Sequence, residues 1–450
     1  MRLRLASASA ITMALSISCV QAQTLQQAMQ QTVDFHPELA GSINSRLSAD
    51  QDLRAARAGY LPSVDLSAGY GREGTNNNTT RAGENDWRQQ NRTEARIGLS
   101  QMIYDGGATK GEVGRQAATV NSRAFRVLGT AERIGLRTAE VYIDVLRREE
   151  MVRLAQENLT NHERILDQIR LRTERGVGRT ADYDQAEART AQARSNLLTE
   201  QTNLSDARVN YLSAVGNAPE ELSMPDGLAG RLPQSLDDAR RTIIEDNPVL
   251  KSAESDIAAT ERQYEASESL FRPRFDAEIS RGADNNTDGA RGRNDEWQAM
   301  LRMRYNLFAG GGSSAQRESR AYQIQEALDI RNNALRQLNE EIGLAWNALS
   351  TAREQLPVAQ QYAERASKVR MAYQAQFSLG DRTLLDLLDS ENETFTAQRN
   401  LADIRFTELF SQYRIMAATG RLLRSQSVAA PMAGVSLNDV KSNVRLPGLD

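Results

Sequence analysis

One apolar seam, written twice, limits what this chain can become. Val145, Val152, Leu159 and Leu166 recur every seven residues within Gly107 to Gly176, a stretch without proline. Leu328, Leu335, Ile342, Leu349 and Leu356 repeat the pattern between Gly311 and Gly380. Val145 and Leu349 lie 204 positions apart, as do Gly107 and Gly311, Gly176 and Gly380, and Gly216 and Gly420. Apolar residues at this spacing form one stripe on a helix and favour left-handed coiled-coil packing. Each stretch, as one helix, would be roughly 100 Å long. No single globular domain needs such a rod, so the chain reads as one duplicated unit.

The order of elements follows from punctuation and periodicity. Thr24 to Gly59 reads as a helix, interrupted early by His36-Pro37 and closed by Tyr60-Leu61-Pro62. Val64, Leu66, Ala68 and Tyr70 then alternate with polar or small residues, which predicts a strand over 63–70. A polar loop, Gly71 to Gln90, separates it from a second strand over 94–104, with Ala95, Ile97, Leu99 and Ile103 on one face. A long helix over 107–175 turns back at Gly176-Val177-Gly178 into a return helix over 177–216. These elements make the first structural repeat, 23–216.

A Pro- and Gly-rich linker, 217–236, leads to the second repeat, 237–420. Its strands are expected over 274–281 and 297–308, its long helix over 311–379 and its return helix over 381–420. Pro357 should bend that long helix. Residues 421–450 read as a polar, irregular C-terminal tail, laid on the surface or disordered.

The first 22 residues are a separate object. Arg2 and Arg4 precede an apolar run from Ala6 to Val20, and Val20-Gln21-Ala22 fits a small-residue cleavage site. This reads as a secretory signal peptide, 1–22, cut after Ala22. A competing reading makes Cys19 a lipidated N-terminus, but Ser16-Ile17-Ser18 fits a lipoprotein signal poorly. Cys19 is the only cysteine and leaves with the signal. The formal net charge of -4 becomes more acidic without Arg2 and Arg4, which argues against nucleic acid as a partner.

No run approaches 18 apolar residues, so no transmembrane helix is expected. A barrel remains open to an exported chain. Four strands cannot close one alone, because about eight is the smallest common closed form. The polar strand faces carry Glu94, Arg96, Arg302 and Arg304, which suit a water-filled lumen and not lipid. Tyr60, Tyr70, Tyr104, Phe271, Trp297, Tyr305 and Phe308 sit near strand ends, where outer-membrane barrels carry aromatic girdles. The residues therefore point to an oligomeric barrel that continues into long helices. A dimer of eight strands remains open at this point.

The duplication, the Gly-Gly strand ends and the turn from Gly380 to Asp389 (GDRTLLDLLD) resemble the TolC family of outer-membrane efflux and secretion ducts. The resemblance spans Thr24 to Gly420. It implies a mixed α and β membrane protein: a trimer with a twelve-stranded β-barrel, four strands per protomer, continuing into a long α-helical periplasmic barrel. The linker would lie in its equatorial region. It implies a passive conduit in the outer membrane of a Gram-negative bacterium, most of its mass in the periplasm. The exit duct would work with a periplasmic adaptor (membrane fusion protein) and an inner-membrane transporter of ABC type. Leu307-Phe308-Ala309-Gly310-Gly311 and the turn Gly176 to Asp182 look most like the branch for type I secretion of a protein cargo. A multidrug efflux duct is the alternative.

The resemblance also assigns site residues. Asp386 and Asp389 would form acidic rings at the periplasmic entrance; the plainer role is a carboxylate at a helix N-terminus. Arg382 would belong to a gate network with Asp182. Phe377 stands where well-known members carry a Tyr that hydrogen-bonds across the gate, a bond Phe cannot make. Gly176, Gly178, Gly380 and Arg382 would contact the adaptor at the helix turns. A coiled-coil adaptor without a pore is the second class considered, and the four alternating strands argue against it. An exported enzyme is the third. No HExxH, GxSxG or P-loop is present, and His36 and His162 lack metal-ligand spacing. No cofactor and no metal are expected.

Overall fold

A computed structural model describes residues 22–82 and 87–437. The expected signal peptide, except Ala22, and the tail beyond 437 lie outside the described residues. In chain order the elements are α1 (Leu25–Phe35), α2 (Pro37–Ala58), β1 (Ser63–Thr75), α3 (Asn78–Arg81), β2 (Arg88–Tyr104), α4 (Ala108–Glu174) and α5 (Thr180–Val215). They continue with α6 (Leu236–Asp246), α7 (Pro248–Ser267), β3 (Arg274–Asn285), β4 (Arg293–Arg304), α8 (Gly312–Leu379), α9 (Leu384–Ala418) and α10 (Leu422–Ser425).

The chain divides into two compact units. One holds the chain up to Thr32 with Thr138–Gly227 and Leu356–Phe406; the other holds Val33–Arg137, Leu228–Gln355 and the chain from Thr407 onward. In the first, Met151, Leu154, Ala155 and Leu159 of α4 pack with Ala193 and Leu197 of α5 and with Phe395 and Ala402 of α9. Of the seam, Leu159 is thus core, while Val152 and Leu166 pack partly buried against the cores. In the second, Ile243 of α6, Leu250 of α7, Ile342 and Leu349 of α8 and Ile415 of α9 form a core.

The sheet belongs to the second unit. Its four strands are antiparallel in the order β1-β2-β3-β4, so β1 and β4 are its edges. The strands run further than apolar alternation foretold. β1 continues to Thr75 and β2 begins at Arg88, where Thr75 pairs with Arg88. Likewise β3 reaches Asn285 and β4 spans 293–304, so residues 305–308 fall outside it. Backbone pairing does not require an apolar face, and cross-strand charges hold the extension together. Part of the expected polar loop is therefore strand, and Asn78–Arg81 forms a helical turn capped by Asn77.

Other boundaries shift for local reasons. The first helix is two helices, because His36 caps α2 through Nδ1 and Pro37 takes its first position. The return helices start at Thr180 and Leu384, after the turn residues. α8 continues as one helix through Pro357. Pro357 and Arg353 are exposed, so the carbonyl that Pro357 leaves unpaired can take water. The described part of the tail is neither loose nor wholly polar. Leu422 and Leu423 are buried, and the Asn121 side-chain amide donates to Leu437 O at 2.8 Å.

Candidate pore-lining strand face and helical turns

Register assigns each strand residue to a face. Along one face lie Ser63, Asp65, Ser67 and Glu73 of β1, then Arg92, Glu94, Arg96 and Ser100 of β2. Asp276, Glu278, Ser280 and Gly282 of β3 and Glu296, Gln298 and Arg302 of β4 continue it. Glu94, Arg96, Arg302 and Arg304 thus share one face. Arg92, Arg96, Arg302 and Arg304 there have carboxylate partners, while Arg88 donates to Gly289 O at 3.0 Å. Arg92 lies 2.9 Å from Glu73 and 2.5 Å from Glu94. Arg302 meets Glu278 at 2.8 Å, and Arg304 meets Asp276 at 2.6 Å and Glu278 at 2.8 Å. Arg96 reaches across β3 to Glu296 at 2.8 Å. Gly282 sits opposite both of them and offers no side chain in the way.

The opposite face is open and mainly apolar, with Arg281 between Ile97 and Trp297. Val64, Leu66, Ile97, Leu99, Ile279, Leu301 and Met303 are exposed, and Trp297 is 78% exposed. A soluble protein rarely leaves such a patch uncovered. Tyr70 and Trp297 mark one end of the band; Tyr104 and Phe275, with ring centroids 6.4 Å apart, mark the other. Tyr104 and Thr93, the partner of Tyr70, are eleven residues apart along β2. At about 3.4 Å per residue and a tilt of about 40°, the band is roughly 28 Å high, close to the lipid-facing band of an outer-membrane barrel. Among the described residues, no helix is long and apolar enough to cross a membrane.

The two helical turns are built alike. Gly380 N donates to Phe377 O at 3.2 Å and Asp381 N to Gln376 O at 3.0 Å. Gly176 N donates to Thr173 O at 2.9 Å and Val177 N to Arg172 O at 3.0 Å. Both are Schellman motifs, which need a left-handed residue; Gly176 has φ +75° and Gly380 φ +90°. Gly178 is constrained differently, since a Cβ there would lie 2.8 Å from Thr173 Oγ1.

Each expected turn residue has a definite place. Thr383 caps α9: its Oγ1 accepts from Asp386 N at 3.2 Å and donates to Asp386 Oδ2 at 2.8 Å. Asp386 therefore has a local capping role of its own. Asp389 is exposed and accepts from Arg189 of α5 at 3.4 Å. Arg382 lies 3.8 Å from Asp386, donates to Gln376 at 2.9 Å and stacks 4.3 Å from the Tyr373 ring centroid. Within one chain Arg382 and Asp182 are not brought into an ion pair; Asp182 sits in the first turn of α5. Phe377 is buried among Ile165, Ile169, Leu384, Leu387 and Leu388. The Arg172 guanidinium lies 4.6 Å from its ring centroid and donates to its carbonyl at 3.4 Å.

Sequence reasoning missed Arg172, Arg189, Gln376 and Tyr373, whose partners are on other helices or in the turn itself. It also missed Asp276 and Glu278, although the alternation of Phe275, Ala277 and Ile279 already placed them opposite the apolar face.

Comparison with known proteins agrees with this geometry. The profile of the family described as "Outer membrane efflux protein" matches residues 21–217 and 240–421. The chain is 24% identical to outer membrane protein TolC of Escherichia coli K12, over 90% of this chain and 84% of that protein. It is 22% identical to alkaline protease secretion protein AprF of Pseudomonas aeruginosa, over 86% of this chain and 82% of that one. The solved CmeC outer membrane channel of Campylobacter jejuni superposes with a TM-score of 0.78 at 16% identity, covering 88% of this chain and 86% of that one. A two-faced, four-stranded sheet joined to paired long helices is the fold of these outer-membrane channels, and the chain belongs to the outer membrane efflux protein family.

Proposed function

We propose that this outer-membrane protein is the exit duct for type I secretion of a protein cargo, working as a trimer with a periplasmic adaptor and an ABC-type transporter. The observation that carries the duct is the sheet: a band of exposed apolar side chains backs a face on which Arg92, Arg96, Arg302 and Arg304 are each paired with a carboxylate. Its unpaired edges, β1 and β4, suit closure with further copies into a twelve-stranded barrel. The secretion branch rests on the Leu307 to Gly311 stretch, the first turn and the likeness to AprF. The family's own description names efflux, which is in line with the other reading, a multidrug efflux duct.

Deleting the gene separates the two. Loss of one large secreted protein with unchanged drug susceptibility is the expected result. Broad drug sensitivity with normal secretion overturns the assignment.

The turns form the periplasmic end in this reading. Asp386 and Asp389 ring the entrance, and Gly176, Gly178, Gly380 and Arg382 meet the adaptor. Arg382, Asp182 and Phe377 hold the closed state, with Asp182 reaching Arg382 only between chains. Arg382→Ser should then raise closed-state conductance in a planar bilayer; an unchanged conductance removes Arg382 from the gate.

A further inference from the structure

The first unit contains a socket built around a single residue near the start of the chain. Gln23 forms a parallel bridge with Leu222 of the linker. Its backbone N donates to Glu221 O at 2.8 Å. Its carbonyl accepts from Ser223 N at 3.2 Å and from the Tyr142 hydroxyl at 2.6 Å. Its side-chain Oε1 accepts from the Tyr211 hydroxyl at 2.9 Å. Tyr142 of α4 and Tyr211 of α5 are fully buried, with ring centroids 6.4 Å apart. Two buried phenols from two helices therefore converge on one glutamine, and a strap of linker closes over it. Backbone pairing alone would need neither phenol.

Residue identity sharpens the point. Gln23 follows Ala22, where the signal sequence is expected to be cut. Cleavage turns Gln23 N into an ammonium group. That group would lie beside the Glu221 carbonyl, in a pocket lined by Ala22, Glu149, Arg208, Glu220 and Glu221, where Arg208 pairs with Glu149 at 3.3 Å and leaves Glu220 and Glu221 in excess. An acidic pocket suits a new positive charge.

An N-terminal glutamine also has a chemistry of its own. Its free α-amine attacks its own side-chain carbonyl carbon and forms a five-membered lactam; the side-chain nitrogen leaves as ammonia. No oxidant or co-reactant is needed. In the socket the nitrogen is held by Glu221 O and the amide oxygen by Tyr211, so closure, which must bring the nitrogen onto the amide carbon, has to draw at least one of them away from its partner. Burial raises the phenol pKa of Tyr142 and Tyr211, so both remain donors at neutral pH.

We propose that Gln23 is the amino-terminal residue of the working protein, and that this socket holds its amine and its amide apart so that it does not close to pyroglutamate. The proposal rests on export and processing but not on the choice of cargo, so the deletion experiment and this one fail independently.

The test is the intact mass and N-terminal peptide of protein purified from outer membranes. The expected species begins at Gln23 with an open amine. Tyr211→Phe, which frees the amide while keeping the ring, should raise the fraction lighter by one ammonia several-fold after the same incubation. If that variant does not assemble, amine acylation of the wild type decides instead. The N-terminal amine should react at least about tenfold more slowly in the native protein than after unfolding, as expected of a group exposed only by local opening. A start at any other residue, an acylated Cys19, or wild-type protein already closed to pyroglutamate overturns the proposal. So does equal acylation of native and unfolded protein, or a Tyr211→Phe variant that assembles and closes no faster than wild type.

Discussion

Glu132 illustrates how much a single half-buried side chain can decide. It lies on α4 and accepts from Leu422 N at 2.9 Å and Leu423 N at 3.3 Å. Burial pushes its pKa up to about 7; the two N–H groups and the charge of Arg424 pull the other way and lose. The unfolded carboxyl titrates near its ordinary value of 4.5. Between the two values the folded chain holds a proton that the unfolded chain has released, so stability falls as pH rises through that window, by up to about 3 kcal/mol. Glu132→Gln keeps an oxygen for both N–H groups and removes the buried charge. Its melting temperature should be nearly flat between about pH 5 and pH 7.5, and it should exceed the parent's by several degrees at about pH 8. A variant that keeps the parent's slope assigns the effect to another group. None of this is legible in sequence, because the partners of Glu132 stand 290 positions away in a tail that reads as polar.

Elements were legible where one physical signal dominates. The seven-residue seam marks α4 and α8, since period and length agree over tens of residues. Apolar alternation locates all four strands but not their ends, because beyond Tyr70 the ladder is held by pairs such as Glu73 with Arg92. Glycine marks the turns for a backbone reason: Gly176 and Gly380 occupy left-handed positions in Schellman motifs. A side chain on Gly380 meets open space. At its Cβ, Gly380→Leu therefore costs the strain of a left-handed backbone, about 1–2 kcal/mol. If the turns contact an adaptor, this substitution should weaken capture of the adaptor more than it weakens the trimer on native gels. Equal loss of both would reduce Gly380 to a folding residue. The capping box of Thr383 and Asp386 was half legible, since acidic residues near a helix start were expected. Its threonine partner was not singled out.

At the scale of the whole molecule, charge distinguishes the strand face from the helical turns. The polar strand face carries Asp65, Glu73, Glu94, Asp276, Glu278, Asp284 and Glu296 against Arg88, Arg92, Arg96, Arg274, Arg302 and Arg304. Acid and base nearly cancel there. Neutralised carboxylates hold mobile ions weakly, so the strand face should contribute little ion preference. The turns differ. Asp389 is exposed and Arg189 reaches it only at 3.4 Å, a separation at which an exposed pair contributes under about 1 kcal/mol. Asp386 spends part of its carboxylate on Thr383 and has Arg382 only at 3.8 Å. Copies brought together around an axis would concentrate these acids and attract multivalent cations. A bilayer recording of Asp386→Ala with Asp389→Ala should therefore lose most of the block by a multivalent cation and shift its reversal potential in a salt gradient toward zero. Glu296→Gln, on the balanced strand face, should move neither quantity by a comparable amount. Loss of Asp386 also removes the carboxylate half of the capping box with Thr383, so trimer yield must be matched before currents are compared. Block that persists in the double variant at equal trimer yield would place the cation site elsewhere and remove the acidic entrance.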